Sequence, residues 1–551
     1  MKRLPARPDL GQLKKQAKDL LARSRQGDPE ALERFRQALP AVAAGNLANT
    51  ALRLHDAQSC IAREHGFPSW SALKAFVEAR NAMGGANAAE TTLNLWRLLY
   101  AGDIAGGENR AHPAAAVRLI EETPELVTGD PYLACALGDE AVLKRETARD
   151  PGWVNRAGGP LALPPLVAVA HSSLMRLPAY RDRLHASARL LLEAGADPNQ
   201  AVANRWMASV EKADPSNPLS ALYGAAGQNH DPVLTQLLLD HGANPNDGES
   251  LYHSLDNRAC TELLLKAGAR VTGSNALYRA LDLEDVAPLR VLLAHGGNAN
   301  EPPLGPPTSD WGSLLGWAIR RRRSLAHIEA LLAAGADPSA KTPRGETAEL
   351  LALKFGLPDA ARLLREAAGG KSDLTPEDAF IAACTRADEP AARSLLAAHP
   401  GLIAALTEPD LKLLPEIAAS PTGDDAVRLM VSLGWPIGVR GGDWNASALN
   451  HAVMRGDAPL TRFLLEHGAQ WTEEHAFGDN VLGTLSWASW NAPHEGGDWA
   501  GCAEALMAHG LPPAAPDPGG SDTRVLIRGG RGRFSAEVVE VLLAGSRSPP
   551  P

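Results

Sequence analysis

The stretch Leu191-Leu192-Glu193-Ala194-Gly195-Ala196-Asp197-Pro198-Asn199 decides how the rest of this chain is read. It returns nearly unchanged as Leu238-Leu239-Asp240-His241-Gly242-Ala243-Asn244-Pro245-Asn246 and as Leu331-Leu332-Ala333-Ala334-Gly335-Ala336-Asp337-Pro338-Ser339. Weaker copies are Leu264-Leu265-Lys266-Ala267-Gly268-Ala269 and Leu464-Leu465-Glu466-His467-Gly468-Ala469. Each copy reads as a helix stop followed by a tight turn. An apolar pair ends the helix, and glycine takes the left-handed position in which a Cβ atom would be strained. Asp-Pro or Asn-Pro, with a small polar residue after it, then turns the chain.

The first residue of the apolar pair serves as a ruler. It falls at Leu191, Leu238, Leu264, Leu292, Leu331, Leu363, Leu395, Met430, Leu464, Leu506 and Val541, with a mean spacing of 35 residues. Upstream of most pairs lies a short apolar opening, such as Pro218-Leu219-Ser220-Ala221-Leu222, Ser313-Leu314-Leu315-Gly316-Trp317 or Ser447-Ala448-Leu449-Asn450-His451-Ala452. The unit is therefore a pair of helices joined by turns, and a period of this size indicates a stack of such units. In the second helices, Val233 with Leu237 and Leu460 with Leu464 stand four apart, so each pair is expected on one buried face.

The 551 residues carry a formal charge of −10. The charge is uneven: residues 1–80 hold 14 Lys and Arg against 8 Asp and Glu, leaving the acidic excess to the remainder. Asp9 is placed to cap a helix through Leu10, Leu13, Ala17, Leu20 and Leu21. Gly27-Asp28-Pro29 breaks it and opens a second helix, a third runs roughly over His55 to Glu64, and Ser69 caps a fourth through Leu73 and Val77. Asn81 to Glu90 reads as a linker. Irregular units occupy 91–159, the regular array 160–545, and 546–551 form a tail. Insertions lengthen the array at Gln200–Pro218, Glu301–Asp310 and Asn491–Ala500, and the Pro-, Gly- and Arg-rich stretch Leu511–Arg533 is expected to be partly mobile.

Residues 160–545 resemble ankyrin repeats, although no copy keeps the Thr-Pro-Leu-His opening. The head, with Leu10-x-x-Leu13-Lys14-Lys15-Gln16-Ala17-Lys18 and Ile61-Ala62-Arg63-Glu64-His65-Gly66-Phe67-Pro68-Ser69-Trp70, is similar to the N-terminal helical region of many bacterial ankyrin-repeat proteins. The resemblance implies an all-α fold: an α-solenoid of degenerate ankyrin repeats, helix-turn-helix plus loop, behind a small helical N-terminal domain. It also implies a protein-interaction scaffold and no reaction.

The chemistry sought elsewhere points the same way. His55, Cys60 and His65 sit at five-residue steps, which on a helix turn them in different directions. His494, Glu495 and Asp498 share one insertion but read as a solvated loop. No nucleophile elbow, P-loop or dinucleotide fingerprint occurs. Five scattered cysteines contain no CxxC, which fits a reducing compartment and a cytoplasmic location. The sequence contains no apolar run long enough to span a membrane and no signal-peptide pattern. The expectation is a monomeric, non-enzymatic scaffold with no metal or cofactor, whose partner is another protein. Enzymatic activity in the head or the 491–500 insertion is the alternative, as is a local nucleic-acid patch at Arg320-Arg321-Arg322-Arg323 on a chain too acidic for general nucleic-acid binding. Partner contacts are assigned to those four arginines and to Trp206, Trp311, Trp444 and Trp499. The four tryptophans are expected to be at least partly accessible, with Leu191, Leu238, Leu331 and Leu464 buried.

Overall fold

The structure is a computed structural model, described over residues 2–544 apart from 6, 40–51, 53, 84–87, 108–110, 207–213, 371–372, 492–495 and 520–522. It is mostly α-helical and divides into two compact units, Met1–Ala276 and Leu277–Pro551.

The first unit opens with four helices, Leu10–Arg25, Pro29–Ala38, Leu54–Glu64 and Trp70–Met83. Asp9 caps the first by accepting from the Gly11 amide, Asp28 caps the second, and the Ser69 hydroxyl accepts from the Ala72 amide at the start of the fourth. Leu13, Ala17, Leu20, Phe35, Ile61, Leu73 and Phe76 close the core of this head. Arg34 grips Glu64 through two hydrogen bonds of 2.6 and 2.8 Å. The stretch read as a linker is helical at both described ends: one helix runs to Met83 and the next, Ala88–Leu99, begins before the stretch is over. The fourth helix packs on Pro113–Glu122, where Arg80 pairs with Glu122.

Helix pairs then follow: Pro131–Leu137 with Glu140–Arg149, Pro165–Ala170 with Pro178–Glu193, and Ala221–Gln228 with Pro232–Asp240. In the second unit the pairs are Leu314–Arg320 with Leu325–Ala333, Ala348–Lys354 with Pro358–Ala368, Pro376–Thr385 with Glu389–Ala398, Leu413–Ala418 with Asp424–Ser432, Ala448–Met454 with Ala458–Glu466, and Val481–Asn491 with Trp499–Ala508. Capping chemistry differs within the pair. Ser220, Ser313, Thr347, Thr375 and Ser447 cap first helices by a hydroxyl, whereas Asp139, Asp231, Asp388, Asp457 and Asp498 cap second helices by a carboxylate. Both satisfy amides that the helix leaves open.

The repeated turn holds neighbouring units together. Its closing asparagine donates to the glycine carbonyl of the next turn and accepts the amide two residues further on. Asn155 does so at Gly195 and Asp197 (2.9 and 2.8 Å), Asn199 at Gly242 and Asn244 (3.3 and 2.7 Å), and Asn246 at Gly268 and Arg270 (3.2 and 2.8 Å). In the second unit, Asn300 repeats the clamp at Gly335 and Asp337 (2.8 and 2.7 Å).

The ruler locates the core at eight of its eleven positions. Leu191, Leu238, Leu264, Leu292, Leu331, Met430, Leu464 and Leu506 are all fully buried. At Leu363 and Val541 it is the following residue, Leu364 or Leu542, that is buried, and Leu395 is half-buried. The face assigned to Val233 and Leu237 is one residue out of register: Val233 is 53% exposed, while Leu234 and Leu238 are buried. Leu460 and Leu464 do share a buried face.

The fold is mostly α-helical, and among the described residues it also carries three small sheets. Ala201–Asn204 pairs antiparallel with Asp214–Ser220 inside the first insertion, and Arg440–Gly441 pairs with Ala446–Ser447. The stretch expected to be partly mobile forms a three-stranded antiparallel sheet from Ala515–Pro516, Arg524–Ile527 and Gly530–Arg533. Val525 and Ile527 point inward and Phe534 is buried beside them, so apolar packing fixes a segment that looks loop-like by composition.

Candidate interaction surface

In the second unit, helix Leu314–Arg320 ends on the arginine run. Ser313 caps its start and Trp311 lies just before the cap. The Arg320 guanidinium sits over the rings of Trp311 and Trp317, at 5.2 and 4.9 Å from their centroids. It pairs with Glu416 (3.0 Å) and with Asp443. Burial opposes its charge, but Glu416 and Asp443 outweigh that and hold its pKa above the ordinary guanidinium value. Arg321 pairs with Asp282 (2.8 Å) and Asp443 (2.9 Å) and lies over Trp317. Arg322 takes the left-handed conformation (φ 53°) that Gly356 and Gly456 take at the same point of later units, and donates to the Phe355 carbonyl at 2.8 Å. Arg323 donates to the Leu283 carbonyl at 2.7 Å.

The four arginines expected to contact a partner, Arg320–Arg323, are each engaged within the fold. Three carboxylates, Glu416, Asp443 and Asp282, meet Arg320 and Arg321, and backbone carbonyls beyond two other helices, those of Phe355 and Leu283, take Arg322 and Arg323. Trp311 and Trp499, expected to be accessible, are each only 7% exposed. Trp311 faces Phe355 at 5.5 Å and lies under Arg320, and Trp499 donates its indole N–H to the Val453 carbonyl at 3.1 Å. Both rings fill the space between units, where a tryptophan buries more surface than any other residue. Leu191, Leu238, Leu331 and Leu464 are buried as expected. Trp206 is 49% exposed, at the end of the hairpin insertion in the first unit, where Arg205 donates to the Ile104 carbonyl.

The structure does bring Trp311, Arg320, Arg321 and Trp444 into one network. Asp443 joins the arginines, and its neighbour Trp444 is half-buried against His451 and His475, each 5.0 Å from its ring. His451 is deeply buried, and desolvation pushes its pKa down to about 4, so the ring is neutral near neutral pH. Gly442 (φ 78°) makes this packing possible, since a Cβ there would stand 2.6 Å from His451 Nε2. The next turn is tied on by the Ala476 amide, which donates to the Trp444 carbonyl at 3.0 Å. At the tip of that turn, Phe477 is 80% exposed. The turn is closed at its base by pairing between Glu474 and Asn480, and the His475 amide donates to the Asp479 carbonyl at 2.9 Å.

Phe477 and His475 were not singled out from the sequence. The signal existed: an aromatic inside Ala476-Phe477-Gly478-Asp479-Asn480, the same kind of Gly/Asp setting that marks Trp444. His494 and Glu495 lie outside the described residues, and Asp498 caps helix Trp499–Ala508 by accepting from the Gly501 amide at 2.9 Å. Among the described residues, no group of three or more His, Cys, Asp and Glu side chains could hold a metal ion. No described helix is long and apolar enough to cross a membrane.

The chain matches no protein-family model and no curated protein. Among solved structures it is similar to the human ASB11 ankyrin repeat domain, at 21% identity and a TM-score of 0.20, over 43% of this chain and 99% of that one.

Proposed function

We propose that this protein is a non-enzymatic binding scaffold, an array of degenerate ankyrin-like repeats that grips a partner protein through the tips of its turns. The observation that carries the reading is Phe477. A large aromatic ring stands 80% exposed on a turn that is bonded at its base and tied to the turn before it. Its packing contribution to the fold is small, and an exposed rigid aromatic is the kind of group that anchors interfaces. Trp444 and Trp206 supply the partly exposed rings at other tips. The turn-to-turn asparagine clamps support the repeat reading, because the same pair of bonds joins successive turns.

The test is affinity capture of partners from the source cell by wild type and by Phe477→Ala, with mass spectrometry and thermal unfolding of both baits. A partner retained by wild type and lost by Phe477→Ala, at an unchanged unfolding midpoint, supports the reading. Equal recovery on both baits removes Phe477 from the interface and leaves the scaffold without its anchor.

A further inference from the structure

The hairpin Arg524–Ile527/Gly530–Arg533 carries a feature that the scaffold reading does not use. Its register pairs Arg524 with Arg533, Val525 with Gly532, Leu526 with Arg531 and Ile527 with Gly530. Successive residues of a strand face opposite ways. Val525 and Ile527 are buried, so Arg524, Arg531 and Arg533 lie on the outward face, and all three are exposed. Arg528 adds a fourth exposed guanidinium at the turn.

Two local costs accompany this arrangement. Arg524 and Arg533 stand directly opposite each other, and like charges at such positions destabilise a sheet. Arg528 adopts the left-handed conformation (φ 51°) beside Gly529 (φ 80°), a turn position better suited to Asn or Gly. Local conflicts of this kind mark functional positions. Two guanidiniums are held against tryptophans: Arg533 lies 3.8 Å from the Trp490 centroid and Arg528 lies 5.0 Å from that of Trp471. Arg531 approaches Asp517 at 3.2 Å. Arg524 and Arg528 form no ion pair among the described residues.

We propose that this face docks an extended protein segment rich in aspartate and glutamate. This deepens the scaffold reading by naming the chemistry of a partner at one surface, and it rests on that reading. Alternate side chains of an extended peptide repeat at the same spacing as the arginines of the hairpin, and guanidinium forks match carboxylates. A nucleic acid fits less well. Bases need an open aromatic platform, whereas Trp471 is buried and both Trp471 and Trp490 are covered by arginine.

Fluorescence anisotropy with the full-length protein tests the proposal, using a labelled oligo-glutamate peptide and a thymidine oligonucleotide of equal charge. Wild type is expected to bind oligo-glutamate in a salt-sensitive way. Arg524→Glu/Arg528→Glu weakens it by about tenfold or more. The control Arg362→Glu/Arg393→Glu, which reverses two exposed arginines on other helices, leaves it unchanged. Should the charge reversal unfold the chain, Arg524→Gln/Arg528→Gln takes its place, with the same ordering expected. Absence of oligo-glutamate binding, equal loss in the control, or tighter and hairpin-dependent binding of the oligonucleotide each overturns the proposal. None of these outcomes bears on Phe477, whose own variant decides the scaffold reading separately.

Discussion

Two regions of this chain hold neighbouring repeats together by different means. Between Asn155 and Arg270, asparagine amides bridge from turn to turn at exposed positions, and each clamp is neutral. Asn300 repeats the clamp once more, but beyond it the closing asparagine is gone: Ser339 and Gly438 stand in its place. There, buried cations reach across units instead. Lys354 is held by Glu346, Asp378 and Asp410, each at 2.9 Å, and Arg320 by Glu416 and Asp443. A neutral bridge at a wet turn costs little to desolvate and contributes modestly. A buried ion cluster is expensive to form and more expensive to break, because the remaining charges are stranded. The degenerate region is therefore the one in which breaking a single polar contact between repeats does most damage.

The largest effect is expected at Lys354. Burial works against its charge, but the three carboxylates hold its pKa above the ordinary lysine value. Lys354→Ala leaves three largely buried acids, Asp378 and the half-buried Glu346 and Asp410, without their cation, and a loss of about 3–5 kcal/mol is expected from denaturant unfolding. The penalty should shrink in acid, where the stranded carboxylates take up protons. A loss no greater than that at the asparagine clamps would erase the distinction between the two regions.

Next in size is the pH response of His451. Its folded pKa of about 4 lies below the ordinary imidazole value of about 6.5, so the unfolded chain takes up the proton first. The stability linked to this residue is intact above about pH 6.5 and is lost as pH falls from there through about 4, by on the order of 3 kcal/mol. The stability difference between wild type and His451→Gln, followed from pH 7 to 4, isolates this residue from other titrating groups. A difference that stays constant across that range contradicts the buried neutral ring.

Asn199→Ala tests the other region. It removes a donor to the Gly242 carbonyl and an acceptor for the Asn244 amide, both close to solvent, so water replaces part of what is lost. About 1 kcal/mol is expected in thermal or denaturant unfolding. A cost comparable to that of Lys354→Ala would mean that the clamps, and not the ion clusters, hold the stack.

How much of this was legible in the sequence follows from how local each feature is. The helix stops, the caps at Asp9 and Ser69 and the buried leucines depend on residues within one turn of each other, and the repeat prints them several times. The Arg320 network could not be read, because Glu416 and Asp443 lie 96 and 123 residues away. A run of arginines carries no mark of which carboxylates it will meet. Trp311 and Trp499 were misjudged because a tryptophan beside an insertion looks the same in sequence whether it faces solvent or the next repeat. The hairpin at Arg524–Arg533 had a legible signal, alternating Arg-Val-Leu-Ile around a two-residue Arg528-Gly529 turn. Its glycine content masked that alternation.

The smallest expected effect sharpens the register of the regular region. In helix Pro232–Asp240 the sequence spacing places Val233 and Leu237 toward the core, whereas Leu234 and Leu238 are buried and Val233 is 53% exposed. A one-residue rotation of about 100° separates the two readings. Leu238→Ala removes buried methyl groups and is expected to cost about 2–5 kcal/mol. Val233→Ser changes a side chain already in water and should shift stability by less than about 0.5 kcal/mol. Side-by-side denaturant curves of the two variants decide the matter. A marked loss at Val233 would place that residue against a neighbouring helix and turn the whole second helix of this repeat back to the first reading.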